Sequence, residues 1–205
     1  MAELGILLVR HAQSEANRQN VLVSSAQDPP LTPEGIQHAK KMAELWSGHA
    51  ISALYTSPLR RARETATEFV ANHPRLTIQI DARLHEIGLG RWDGRPISEI
   101  EQNDMERFQQ WKQDPEMGAP DGGEALSAVF HRMNEFLDGV RVAYSSGLVV
   151  AVTHADCLKA LVLGILHAPW AGAQWLHLAN LASVYVVWRE NHWQVIMMPE
   201  LEIGR

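Results

Sequence analysis

The amino-acid sequence predicts an α/β protein built around a mostly parallel sheet. Short apolar segments alternate with segments whose apolar residues recur at helical spacing. Residues 147–152 are Val-rich and apolar on both faces, the pattern of a central parallel strand. Two apolar runs, 6–9 and 147–152, stop on residues that carry chemistry: Arg10-His11 after the first, Thr153-His154 after the second. In open α/β sheets, ligands bind just outside the carboxyl ends of strands.

Taken in order, 6–9 is the first strand. Thr32 caps a helix with Pro33 at its first position. Ile36, Ala39, Met42, Ala43 and Trp46 follow at helical spacing, and Gly48 is expected to end it. Residues 51–55 form a second strand. Ser57 and Pro58 then open a helix in the same way, with Leu59, Ala62, Ala66, Phe69 and Val70 facing inward. Arg60, Arg61 and Arg63 fall in its first turns, the end at which the helix dipole disfavours cations. A local rule broken without compensation points to function. A solvated basic face accounts for Arg60 and Arg63.

Residues 76–80 alternate as a third strand. The glycine-bearing loop 84–94 is not a dinucleotide fingerprint, because Asp93 stands where the last glycine belongs and no helix opens there. Residues 96–111 read as a polar helix anchored by Ile97, Ile100 and Phe108, and 114–123 as a Pro/Gly loop. The clearest helical stripe follows, Leu126, Val129, Phe130, Met133, Phe136, Leu137, Val140 and Tyr144, and belongs to the core. After the 147–152 strand, a helix over 155–166 buries Leu158, Leu161, Val162 and Ile165. Segments 184–188 and 193–196, split by Asn191-His192, read as a terminal hairpin that adds an antiparallel edge. No repeat or linker divides the chain, so 1–205 is expected to form one domain.

Composition narrows the function. Of 205 residues, 46% are hydrophobic and 20% charged, as in ordinary globular proteins. The one cysteine, Cys157, precludes an internal disulfide framework and favours a reducing compartment. No signal segment and no run of roughly 20 apolar residues is visible, so a cytoplasmic protein with no membrane partner is expected. The net charge of −6 argues against a nucleic-acid surface, and any anionic ligand has to be held by a local cluster. There are ten histidines, yet no His-x-x-x-His helical pair and no Cys/His ligand spacing, so neither a metal nor a cofactor is expected. Cysteine-based phosphate chemistry lacks an arginine loop after Cys157, and no Gly-x-x-x-x-Gly-Lys loop exists for a nucleotide.

What remains is a set of two strand-end histidines, a strand-end arginine, an early-helix arginine and a loop carboxylate. Phosphoryl transfer suits it. A phosphomonoester is dianionic, and its transferring group spreads charge over three oxygens. Two arginines hold those oxygens in bidentate fashion. A neutral imidazole attacks phosphorus, and a second, cationic one stabilises the oxygens. A carboxyl group protonates the leaving alkoxide and later deprotonates water.

The motifs Leu-Val-Arg10-His11-Ala12-Gln13-Ser14-Glu15-Ala-Asn17, Thr56-Ser57-Pro58-Leu59-x-Arg61-Ala62-x-Glu-Thr65, Leu84-x-Glu86-x-x-x-Gly90-x-Trp92-Asp93-Gly94, Gly122-Gly123-Glu124 and Val152-Thr153-His154 stand in this order. Together they resemble the histidine phosphatase superfamily, and within it the phosphoglycerate mutase-like branch. The resemblance implies a three-layer α/β/α sandwich. It implies His11 as the nucleophile that becomes phosphohistidine, Arg10 and Arg61 as the phosphate clamp assisted by Asn17, His154 as the second pocket histidine, and Glu86 as the proton donor. Arg61 is chosen over Arg60 because it directly precedes Ala62. The chain departs from the family in Ala12, where glycine is usual, and in Ala155-Asp156, where glycine often follows the second histidine. Asp156 brings a negative charge close to an anion pocket.

Three readings follow. The first is a metal-independent phosphatase acting on a small phosphorylated metabolite. The second is a 2,3-bisphosphoglycerate-dependent phosphoglycerate mutase. The short 95–120 connection and the chain end at Arg205 favour the first, because mutases of this type carry a longer segment that shields the site from water. The third is a non-catalytic binding module, which has no need of a nucleophile. Phosphoglycerate, phosphoserine, a sugar phosphate and a nucleoside-like phosphate all remain open as substrates. His85 is a candidate substrate contact, with a surface position the commoner use. Trp92, Trp111, Trp170 and Trp175 either wall a pocket or fill the core. Nothing selects between monomer and homodimer.

Overall fold

The chain begins its sheet with a strand buried along nearly all its length, β1 (Leu4–Arg10). The structure, a computed structural model, describes residues 3–196, so both ends of the expected 1–205 domain lie outside the described residues. After β1 come α1 (Glu15–Gln19), β2 (Val21–Leu22), α2 (Pro33–Leu45), β3 (Ile51–Thr56), α3 (Arg60–Asn72) and β4 (Ile78–Ile80). The second half contains β5 (Arg95–Pro96), α4 (Ile97–Asn103), α5 (Met105–Gln113), α6 (Leu126–Ala143), β6 (Gly147–Thr153), α7 (Ala155–Ile165), β7 (Ser183–Arg189) and β8 (His192–Ile196).

The main sheet runs β4-β3-β6-β1-β7-β8. β4, β3, β6 and β1 are mutually parallel, and β7 runs against both its neighbours. The terminal hairpin is therefore the antiparallel edge that the sequence predicts. Separately, β2 pairs with β5.

Pleating divides the sheet between two apolar layers. Ile6 and Leu8 of β1, with Val149 and Ala151 of β6, pack on one side against Met133, Phe136, Leu158 and Leu161 of α6 and α7. Leu7 and Val9, with Val150 and Val152, pack on the other against Ala43 of α2 and Ala62, Ala66 and Phe69 of α3. Each fully buried side chain of this size contributes about 1.5–3 kcal/mol. The result is the three-layer sandwich.

Several boundaries differ from the sequence expectation, each for a local reason. α2 keeps its Thr32 cap, with the hydroxyl accepting from Gly35 N, but ends at Leu45 because Trp46 caps it, and Gly48 lies beyond. Ile36 faces outward, 39% exposed. α3 begins at Arg60 with Leu59 as its cap, so Ser57 and Pro58 stand outside the helix. β4 is shorter than 76–80. The 96–111 helix is two helices, broken at Asp104, whose carboxylate accepts from Trp92 Nε1 at 2.7 Å and from Arg91. The hairpin turns on Glu190-Asn191, both at positive φ (50° and 63°), and His192 already belongs to β8.

Gly35, in the first turn of α2, presses on the segment that follows β1: a Cβ there would lie 2.2 Å from the Gln13 carbonyl oxygen. Gly35→Ala should cost about 1–3 kcal/mol of overpacking strain, read as a fall of several degrees in Tm. An unchanged melting curve would show that α2 slides freely on this segment.

Candidate active site

The register of β1 on β6 decides which residues meet. Arg10 lies opposite Thr153, so His11 and His154 leave the sheet side by side. The His11 amide donates to Thr153 O at 2.9 Å, and the two imidazole centroids are 5.1 Å apart. On the other flank of β6, Thr56 of β3 lies opposite Val152, which brings Ser57 to the same edge. α3 then starts near this edge and turns Arg61 into it.

His11 is buried. Its Nδ1 lies 2.7 Å from Ala12 O and so carries the ring proton, leaving the Nε2 lone pair 3.3 Å from Arg61 Nε. Burial first, then the charges of Arg61 and Arg10, push its pKa well below the ordinary value, so the imidazole is neutral. Ala12 takes no positive φ, its amide donates to Thr65 Oγ1 at 3.1 Å, and its methyl packs with Leu31 and Ala39. The methyl at this departure is thus accommodated without strain.

Arg61 is buried and donates through Nη2 to Val23 O at 3.1 Å. The segment after Val23 is held by Asp93, whose carboxylate accepts the amides of Ser24, Ser25 and Ala26 at 2.6, 2.9 and 2.7 Å. Arg10 donates to Leu178 O. Asn17 closes a capping box with Ser14, and Asn180 Nδ2 reaches both Asn17 Oδ1 (3.1 Å) and His11 O (3.0 Å). Arg60 and Arg63 stay exposed beside Glu64 and Asp28.

His154 Nε2 is 2.8 Å from Ser57 Oγ, which also accepts the Leu59 amide. The serine hydroxyl proton is then free to donate to Nε2, which puts the imidazole proton on Nδ1, 3.9 Å from Glu86 Oε2. The sequence-based expectation of a cationic His154 does not hold. Burial, then Arg61, drive its pKa well below the ordinary value, and the ring is a neutral donor. Glu86 accepts from the Ile87 amide at 2.9 Å. Burial, reinforced by Asp156, raises its pKa to about 7, the range of a group that both gives and takes protons.

These side chains line a cavity of about 130 Å³ that includes Arg10, His11, Asn17, Arg61 and Glu86, with His154 packed against the His11 ring. Asp156 also lines it, paired with Lys159 at 3.0 Å, and Trp111 forms part of its wall. Trp92 is core and Trp175 is 81% exposed. His85 instead donates from Nδ1 to Glu86 O.

Three buried donors, Arg10 Nε, Arg61 Nη1 and His154 Nδ1, have no hydrogen-bond partner among the described residues. Leaving such groups unpaired costs about 1–3 kcal/mol each, a cost that an anion in the cavity relieves. Among the described residues, no three His, Cys, Asp or Glu side chains gather as a metal-ligand set, and no helix is long and apolar enough to cross a membrane. Sequence reasoning missed Ser57 and Asn180. Ser57 stood inside a quoted motif but was read as a helix cap, and Asn180 carries no local signal.

Residues 6–200 match the sequence profile of the histidine phosphatase superfamily (branch 1). The chain belongs to that superfamily. Over 195 residues it is 32% identical to phosphoserine phosphatase 1 of Hydrogenobacter thermophilus, covering 94% of this chain and 90% of that protein. It is 29% identical to a probable phosphoglycerate mutase of Shigella boydii serotype 18, covering 93% and 87%. The solved structure of Bacillus stearothermophilus YhfR superposes with a TM-score of 0.88 at 28% identity, covering 94% and 95%. As a histidine phosphatase, the chain is a phosphomonoester hydrolase that works through a phosphohistidine.

Arg61→Lys removes the planar fork while keeping the charge. Competitive inhibition by inorganic phosphate should weaken about tenfold or more, the size of a lost charged hydrogen bond. An unaltered inhibition constant would take Arg61 out of the phosphate clamp.

Proposed function

We propose that His11 is the phosphorylated residue and that the cavity hydrolyses a small phosphorylated metabolite without a metal ion. The observation that carries this reading is the neutral His11, its proton fixed on Nδ1 by Ala12 O and its Nε2 lone pair beside unpaired cationic donors.

In the first step Nε2 attacks phosphorus, and the bond from phosphorus to the ester oxygen breaks. Arg10, Arg61, the His154 Nδ1–H and Asn17 hold the three non-bridging oxygens of the transferring group. Glu86, protonated at its raised pKa, delivers its proton to the leaving alkoxide. In the second step the Glu86 carboxylate takes a proton from water. The water oxygen attacks phosphorus, and the N–P bond breaks. His11 regains its lone pair, and Glu86 is again protonated.

Residues 95–120 supply only β5, two short helices and a loop. That short cover supports transfer to water over return of the phosphoryl group to a second alcohol. The names of relatives, a phosphoserine phosphatase among them, support a small phosphorylated metabolite as substrate.

Purified protein in excess EDTA should hydrolyse p-nitrophenyl phosphate, and His11→Ala should abolish turnover. Loss of wild-type activity in EDTA would overturn the metal-free mechanism. Glu86→Gln should lower kcat/KM, which reports the ester-cleaving step, about 10²-fold or more for alkyl phosphates and far less for aryl phosphates, because a good leaving group needs no proton. Equal losses would remove Glu86 from the acid role.

The pH profile has a determined sign. Glu86 donates only while protonated, so kcat/KM for an alkyl ester should fall as pH rises through about 7. On the acid side, His11 keeps its lone pair below the ordinary imidazole range, because its pKa is depressed. An alkaline limb that persists in Glu86→Gln would assign it to another group.

A further inference from the structure

The segment that carries Glu86 is fastened at successive residues, and the fastenings come from outside the cavity. Arg132 Nη1 donates to Arg83 O at 2.6 Å. Thr153 Oγ1 donates to Leu84 O at 2.8 Å, and Cys157 Sγ to His85 O at 2.9 Å. The Gly88 amide donates to Glu124 Oε2 at 3.1 Å, while the Glu124 amide donates to Gly88 O at 2.8 Å. Arg132 closes the circuit: its Nε and Nη2 grip the two oxygens of Glu124 at 2.8 and 3.0 Å. One guanidinium from α6 thus spans the segment, holding Arg83 directly and Gly88 through Glu124.

This arrangement answers a need of the chemistry. Among the described residues the Glu86 carboxyl makes one hydrogen bond, to the adjoining Ile87 amide, so backbone placement sets where it points. The same carboxyl must reach the leaving oxygen in one step and the attacking water in the next. A displacement of about 1 Å in such a group costs on the order of 10²-fold in rate. Neither Arg132 nor Glu124 lines the phosphate cavity. Their ion pair is largely withdrawn from solvent, with side chains 14% and 21% exposed.

We propose that Arg132 is a positioning residue for the proton donor: with Glu124 it holds residues 83–88 so that the Glu86 carboxyl stays over the leaving-group oxygen. The inference rests on the reading of Glu86 as the acid. It separates Arg132 from a merely structural ion pair, because in kcat/KM, which reports the ester-cleaving step and not the later attack of water, misplacing Glu86 harms only the esters that need its proton.

The test compares wild type, Arg132→Lys, Glu86→Gln and the double variant on glycerol phosphate and p-nitrophenyl phosphate, with the phosphate inhibition constant and Tm alongside. Lysine keeps the charge beside Glu124 but cannot span both anchor points. Glu124→Gln, close in shape, is the second variant should Arg132→Lys fail to fold. The expected result for either is a loss of kcat/KM on glycerol phosphate at least about tenfold larger than on the aryl ester, with phosphate inhibition little changed. In the Glu86→Gln background, the same substitution should add no further discrimination between the two esters.

Equal losses on both esters, or a discrimination that simply multiplies that of Glu86→Gln, would overturn the positioning role. If Glu86→Gln itself fails to discriminate, the acid reading falls and this inference with it. If Glu86→Gln discriminates and neither Arg132→Lys nor Glu124→Gln does, only the positioning role falls.

Discussion

One register underlies the site: Arg10 of β1 opposite Thr153 of β6. A slip of one residue would carry Ile6 and Leu8 to the face of α2 and α3, and send Leu7 and Val9 toward α6 and α7. The two faces are packed by different partners, mostly large aliphatic side chains with Met133 and Phe136 on one, alanines with Trp46 and Phe69 on the other. Core packing therefore resists the slip. The same packing that closes the hydrophobic layers brings the His11 and His154 imidazoles to one level. Catalytic geometry here is a by-product of which leucine faces which helix.

The electrostatics are local. A chain with net charge −6 concentrates two largely buried arginines around two neutral imidazoles. Burial, with the Arg61 charge at both rings and the Arg10 charge at His11, opposes protonation of the imidazoles. Asp156 works in the opposite sense at the same rim, adding to the burial that holds the Glu86 proton in place. Asp156, part of the Ala155-Asp156 departure after the second histidine, thus helps to keep the acid protonated, and Lys159 keeps that charge partnered.

Much of this was legible in the sequence where chemistry and punctuation coincide. Strands that stop at Arg10-His11 and Thr153-His154 announced the sheet edge, and Thr32-Pro33 announced a helix. Arg61 could be told from Arg60 and Arg63 only by motif position, since all three share one helical turn; of the three, Arg61 is the buried one. The failures arose where a side chain had two possible employers. Ser57 suits a helix cap, yet its hydroxyl serves His154, and no local rule separates the two uses. Asp104 breaks a helix because Trp92, twelve residues earlier, needs an acceptor. Asn180 reaches His11 across 169 residues of chain, a relation that exists only once β7 has paired with β1. A cationic His154 was expected from its role, but burial outweighed the role.

The contact between Arg61 Nε and His11 Nε2 sets a condition on what this site will react with. At rest the lone pair is occupied by a hydrogen-bond donor, so the imidazole is not an open nucleophile. The donor is a cation with another N–H still unpaired, and an arriving dianion competes for it. An electrophile without negative charge has nothing to offer the arginine and meets a covered nitrogen. Selection for charge then takes place before any bond is made.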